Sequence, residues 1–390
     1  MFYRQKSYGR NTEATEIYRH FSAGQDLHMP GPRRLGKSFL LDRLVDAGPE
    51  HGWRTIKIEL AGVSDAASCY ARLSEAIGAS LPAMHKIKVW LAQHAHQVFS
   101  SSKPAGSSLP QHLLTHDSEG HLERLLVSLA DEPQPLAILL DELPIFLSAL
   151  HHKGPDGVAQ AREFMNTLSR MRDKARHVRW LITGSIGIDP LARFGQYQGA
   201  LAKYTLYRLA PLMAGQAKDL LQDSATDGQL IHRQRITDAE AQALIEQTGW
   251  LSAFYLLELA GCLRGAPCED AAQAAQQVEN AAAKLLGDAN SNTFSTWEEH
   301  LRKHYPDPQR GQVFALLAEL ALRPGPHTLN TLLAGLADAT VSEPSLRALL
   351  LRLDGEGFVS VDWDNADSPT LMFRNPLLRR WWARYQPTAA

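Results

Sequence analysis

The chain has 390 residues, 40 Lys+Arg against 42 Asp+Glu, three cysteines and 44% hydrophobic residues. That length suits two or three domains, and the apolar content supports real cores, which excludes a disordered or fibrous chain. The formal charge of −2 exerts no global pull toward nucleic acid or an acidic membrane, and Cys69, Cys262 and Cys268 are too few and scattered for a disulfide framework or a four-ligand zinc site. A reducing, cytoplasmic setting fits these cysteines best. The opening MFYRQKSYGRN lacks the apolar centre of a signal peptide, and no uninterrupted apolar run approaches the roughly 18 residues of a membrane span.

In chain order, the first marked feature is a short apolar strand candidate, Leu27–Met29, then Gly31-Pro32-Arg33-Arg34-Leu35-Gly36-Lys37-Ser38, then Phe39–Val45 with helical periodicity. A second strand candidate spans Thr55–Leu60. Residues 64–103 read as mostly helical, Ser100–Leu109 as a loop, and Leu122–Ala130 as a helix. Leu136–Leu140 and Val178–Ile182 are continuous apolar runs separated by a helix at about 158–174. Such runs alternating with helices predict an α/β core, a parallel sheet covered by helices on both faces.

Beyond residue 211 the strand signal fades. Residues 214–222, 238–248, 251–263 and 271–286 read as helices, and the polar Gly287–Thr296 as a linker or hinge. Helices at 312–323, 329–337 and 343–354 precede two alternating segments, Phe358–Trp363 and Thr370–Arg374, split by the turn-like Asp364–Pro369. Three helices and a β-hairpin make the pattern of a winged helix, closed by a last helix at 376–385. The expected domains are an α/β core over 1–210, a helical middle over 211–296 and a winged helix over 297–390.

Residues 31–38 match G-x-x-x-x-G-K-[ST] in full, between a strand and a helix. The glycines let the backbone turn its N–H groups onto phosphates, and the helix that follows presents its positive end. Gly31, Pro32, Arg33, Arg34, Leu35, Gly36, Lys37, Ser38 and the adjoining Phe39 are the expected nucleotide-binding set. Lys37 would reach the β- and γ-phosphates and the Ser38 hydroxyl would ligate Mg²⁺. The strand Ala137–Leu140 ends in Asp141-Glu142. There Asp141 would hold Mg²⁺ and Glu142 would orient or deprotonate the attacking water. A third strand ends in Thr183-Gly184-Ser185; either hydroxyl can sense the γ-phosphate, and Ser185 is the preferred one. Arg193 and Arg208 follow it and are candidates for a charge-stabilising arginine.

Together, Gly31–Ser38, Leu139–Glu142 and Thr183–Ser185 resemble the archaeal-type P-loop ATPases of archaea and bacteria, in the AAA+/STAND branch. Tyr8–Glu13 resembles that family's F-x-G-R-x-x-E opening phrase, Leu209–Leu212 its L-x-P-L exit from the core, and Phe373–Arg379 its ending. Thr248-Gly249-Trp250 stands where the family has a Gly-rich turn followed by Pro, which this chain lacks. The resemblance implies a P-loop ATPase core over 1–210, a helical lid over 211–296 and a C-terminal winged helix, with ATP as the nucleotide and hydrolysis that drives a conformational switch.

Residues 301–390 hold ten Lys+Arg and nine Asp+Glu, a poor balance for contacting DNA phosphates. A partner protein is therefore the leading expectation, DNA binding or loading the alternative, and a homo-oligomer remains open. Trp381 and Trp382 read as core or interface. His85, His94, His96, His151 and His152 read as solvated histidines, with no Cys or carboxylate completing a ligand set.

Overall fold

A computed structural model of the protein describes residues 10–81, 117–290, 292–336, 342–364 and 369–388. Tyr8 and Gly9, the expected helix and loop over 82–109 with His85, His94 and His96, and the turn residues 365–368 lie outside the described residues. The chain divides into two compact units. One runs to Gly31 and resumes over Lys37–Leu209; the other comprises Pro32–Gly36 and the chain from Ala210 onward.

The first unit is built on five parallel strands: β1 (Asp26–Pro30), β2 (Arg54–Glu59), β3 (Leu136–Asp141), β4 (Val178–Gly184) and β5 (Tyr204–Leu206). Their order is β2-β3-β4-β1-β5, so β4 lies between the phosphate-loop strand and the acidic strand. All six residues of β3 are buried, because helices cover both faces of the sheet. On one side Ile138, Leu140, Trp180 and Ile182 join Leu73, Leu126, Phe146, Phe164 and Leu168 in a single core. The helix Arg10–Ser22 buries Ala14, Ile17, Tyr18 and Phe21, and the helix Lys37–Ala47 buries Leu40, Leu41 and Leu44. Neither Arg10–Ser22 nor β5 is marked in the sequence as an element. β5 is three residues long at the sheet edge, too short to carry a pattern.

The second unit begins with helices Ala214–Thr226, Asp238–Thr248, Ala253–Gly261 and Ala271–Leu285. Gly287–Thr296 is not a linker. It holds a 3₁₀ turn, Asp288–Asn290, and the start of the helix Asn292–His304, whose Phe294, Trp297 and Leu301 are buried. The winged helix then follows in order: helix Gln309–Leu322, β6 (His327–Thr328), helix Leu329–Gly335, helix Glu343–Glu356, β7 (Val359–Asp362), β8 (Thr370–Phe373) and helix Pro376–Tyr385. The three strands form an antiparallel sheet, β6-β8-β7. Trp381 and Trp382 are buried, with Trp382 against Phe314 and Phe373, so the pair is core. Among the described residues no helix is long and apolar enough to cross a membrane.

Candidate functional site

The candidate site stands at the carboxyl ends of β1, β3 and β4, where an open parallel sheet leaves a crevice for a ligand. After β1 the chain turns through Gly31 to the helix that opens at Lys37. Two residues of that turn have left-handed backbone, Arg34 with φ 67° and Gly36 with φ 94°. Glycine adopts this freely, whereas an arginine there is held by its surroundings. Within the second unit, the Arg34 guanidinium stacks 3.7 Å from the Phe254 ring centroid, and the Ser252 hydroxyl donates to the Arg34 carbonyl. Lys37 is buried and its ammonium donates to the Gly31 carbonyl at 2.6 Å.

Asp141 is fully buried at the end of β3. Its Oδ2 accepts from the Ser38 hydroxyl at 2.9 Å, and its Oδ1 accepts from the Thr183 hydroxyl at 2.6 Å. Three motifs far apart in sequence therefore meet on one carboxylate. Glu142, the next residue, has left-handed backbone (φ 59°, ψ 35°), which turns it away from the strand and into the start of the helix Leu143–His151. Its Oε2 accepts from the Ser185 backbone N–H at 2.9 Å and from the Ser185 hydroxyl at 3.0 Å. Thr183 and Ser185 thus have different partners: Thr183 braces Asp141, and Ser185 holds Glu142.

Three participants carry no signal in the sequence. Lys57 on β2 places its ammonium 3.7 Å from Asp141 Oδ2 and donates to Asp42 at 3.0 Å. Glu59, opposite Asp141 in the β2–β3 register, completes a group of three carboxylates with Asp141 and Glu142. Partial burial, then the charges of Asp141 and Glu142, push the Glu59 carboxyl above its usual range. The pairing of β2 with β3 brings Lys57 and Glu59 to the site, and the helix Lys37–Ala47 brings Asp42.

Of the other candidates, Arg193 and Arg208 are exposed on the first unit. Arg10 is buried and ion-paired with Glu13 at 2.6 Å at the start of the first helix. The boundary between the units falls within Leu209–Leu212. Gly249 has φ 64° and packs on Pro376, so the turn lacking the family's proline still uses glycine's freedom.

No protein-family model matches the chain, and comparison with curated proteins finds no match. Solved structures do match. The Walker-type ATPase PABY2304 of Pyrococcus abyssi aligns with TM-score 0.59 and 18% identity, over 97% of this chain and 95% of that one. The Aeropyrum pernix ORC2 protein, in ADPNP–ADP complexes, aligns with TM-score 0.49 and 14% identity, over 95% and 91%. The Aeropyrum pernix ORC1 protein in complex with DNA aligns with TM-score 0.40 and 16% identity, over 96% and 92%. At these identities the first likeness speaks to the fold alone: a parallel sheet covered by helices, followed by a helical C-terminal region.

Proposed function

We propose that this chain is an ATP-binding and ATP-hydrolysing molecular switch of the AAA+/STAND type. In this reading it couples its nucleotide state to a partner protein through the lid and winged helix. A regulatory, defence-associated or mobile-element setting follows from the family resemblance. The observation that carries the reading is the 2.9 Å contact between Ser38 Oγ and Asp141 Oδ2, with Glu142 next in the chain. A phosphate loop and an acidic strand end that meet in this way form a nucleotide and metal site.

The residues present fit Mg²⁺. The Ser38 hydroxyl and the Asp141 carboxylate are hard oxygen donors, and Thr183 fixes the carboxylate's orientation. Bound there, Mg²⁺ would neutralise charge on the β- and γ-phosphates. The loop N–H groups cradle the phosphates, and Lys37 exchanges the Gly31 carbonyl for a phosphate oxygen. Glu142 orients the attacking water and accepts its proton. Ser185 sets where that carboxylate stands.

The cations of the winged helix favour a protein partner over DNA. In the helix Glu343–Glu356, Arg347 pairs with Glu343 at 2.9 Å and Arg352 pairs with Glu356 at 2.9 Å. Arg374 and Arg380 are likewise paired, with Asp354 and Glu279. Phosphate binding would have to break these pairs. ATP turnover measured with and without duplex DNA across a salt series tests this. Turnover that DNA leaves unchanged supports the protein-directed reading, and stimulation that falls steeply with salt supports DNA loading.

A further inference from the structure

The Lys57 ammonium is gathered by three oxygens of the candidate site: the Asp42 carboxylate at 3.0 Å, the Ser38 carbonyl at 3.3 Å and Asp141 Oδ2 at 3.7 Å. Its side chain is 20% exposed, so the charge is only partly screened. The fold places it there twice over. The β2–β3 register sets Lys57 opposite Leu139, two residues before Asp141, and the period-two alternation of a strand puts Lys57 on the same face as Glu59. Asp42 lies one helical turn beyond Ser38 and steadies the ammonium from the other side. Oδ2, the Asp141 oxygen nearest Lys57, is the one that accepts the Ser38 hydroxyl.

We propose that Lys57 is a built-in counter-cation of the metal site, a positioning residue that lowers its affinity for Mg²⁺. The inference rests on the nucleotide-site reading above. With no metal bound, the ammonium balances the buried Asp141 charge and keeps the site folded. A divalent ion between Ser38 and Asp141 then meets a fixed positive charge competing for the same oxygen. A unit charge within about 4–6 Å commonly shifts a carboxylate's proton affinity by ten-fold or more, and metal affinity responds to the same field. A high Mg²⁺ requirement would make nucleotide capture sensitive to free Mg²⁺ and ease nucleotide release.

The test is the Mg²⁺ concentration that gives half-maximal binding of a fluorescent ATP analogue to the full chain. Lys57→Met and Lys57→Gln remove the charge, Lys57→Arg keeps it, and Asp141→Asn removes its target. The proposal expects the two neutral variants to need about three- to ten-fold less Mg²⁺, with Lys57→Arg near wild type. Thermal melts add a second readout: the neutral variants melt lower than wild type in EDTA and recover that loss in Mg²⁺. A Mg²⁺ requirement that is unchanged or higher in the neutral variants overturns the proposal, as does an equal melting loss with and without Mg²⁺. Asp141→Asn separates the failures. If it keeps wild-type Mg²⁺ dependence, the metal-site reading itself falls; if it loses that dependence while Lys57→Met matches wild type, only the Lys57 inference falls.

Discussion

The Glu142 carboxylate is held twice by one residue: Ser185 donates its backbone N–H and its hydroxyl to the same oxygen, Oε2, at 2.9 and 3.0 Å. A carboxylate held from two directions cannot swing freely. On the proposed mechanism Ser185 positions the base. Ser185→Ala should lower kcat about ten-fold, because one of two restraints remains, while ATP affinity changes less than about three-fold. Steady-state phosphate release and equilibrium nucleotide binding separate the two. An equal loss in both would place Ser185 in nucleotide binding instead.

Lys37 presents a buried ammonium already engaged at the Gly31 carbonyl, 2.6 Å away. That contact keeps the charge at the phosphate position before any nucleotide arrives. Lys37→Ala removes the charge and leaves the loop backbone, so ATP affinity should fall at least about ten-fold with little change in melting temperature. Calorimetric titration with a non-hydrolysable ATP analogue checks this. Wild-type affinity would remove the loop from the site.

Gly184 lies between the two hydroxyl residues and against the Pro144 ring. A Cβ at Gly184 would stand 2.4 Å from Pro144 Cγ and 2.5 Å from Cδ. Pro144 is rigid and sits in the first turn of its helix, so it cannot yield cheaply. Gly184→Ala should cost about 1–3 kcal/mol of stability, the usual range for overpacking. Gly199→Ala serves as the control, since nothing stands within 4 Å of its Cβ. Urea unfolding of both variants checks the contrast.

The second unit has a built-in acid sensitivity. Burial, with the charge of His300 adding to it, pulls His304 down to about 3, and neither of its ring nitrogens has a hydrogen-bond partner. Unfolded, a histidine titrates near 6.5. The unfolded chain therefore gains a proton that the folded chain refuses, and stability falls as pH drops from about 6.5 toward 3. Glu356 adds a second loss lower down. Burial pushes its carboxyl up, but His300 and Arg352 outweigh this and hold it below its usual range. Its stabilisation is therefore present above about pH 4.5 and lost as pH falls through the lower folded value. Melting temperature should decline from pH 7 to pH 5, and His304→Leu should make that slope shallower. A flat profile in wild type would contradict this.

What the sequence discloses of the site is its local chemistry. Gly31–Ser38 and Asp141-Glu142 are each contiguous, so spacing alone marks them. Ser185 is also marked, though its partner is not: the sequence suggests a phosphate or a water, and the structure brings it to Glu142. Lys57 and Glu59 are unmarked, because their place depends on which strand lies beside β3, a long-range pairing that no local window encodes. The fold follows the same division. Continuous apolar runs mark β3 and β4, while the three residues of β5 carry no period. Asn292–His304 is hidden by its polar first turn, although Phe294, Trp297 and Leu301 fall at helical spacing and are buried.

Single-turnover phosphate release from Mg·ATP by wild type and Glu142→Gln tests most directly whether this chain hydrolyses ATP through Glu142. Wild type should bind the nucleotide and release phosphate. Glu142→Gln should bind with similar affinity and release phosphate at least about 100-fold more slowly, as removal of a general base requires. Equal release by the two proteins, or wild type that binds ATP and never cleaves it, would contradict the account.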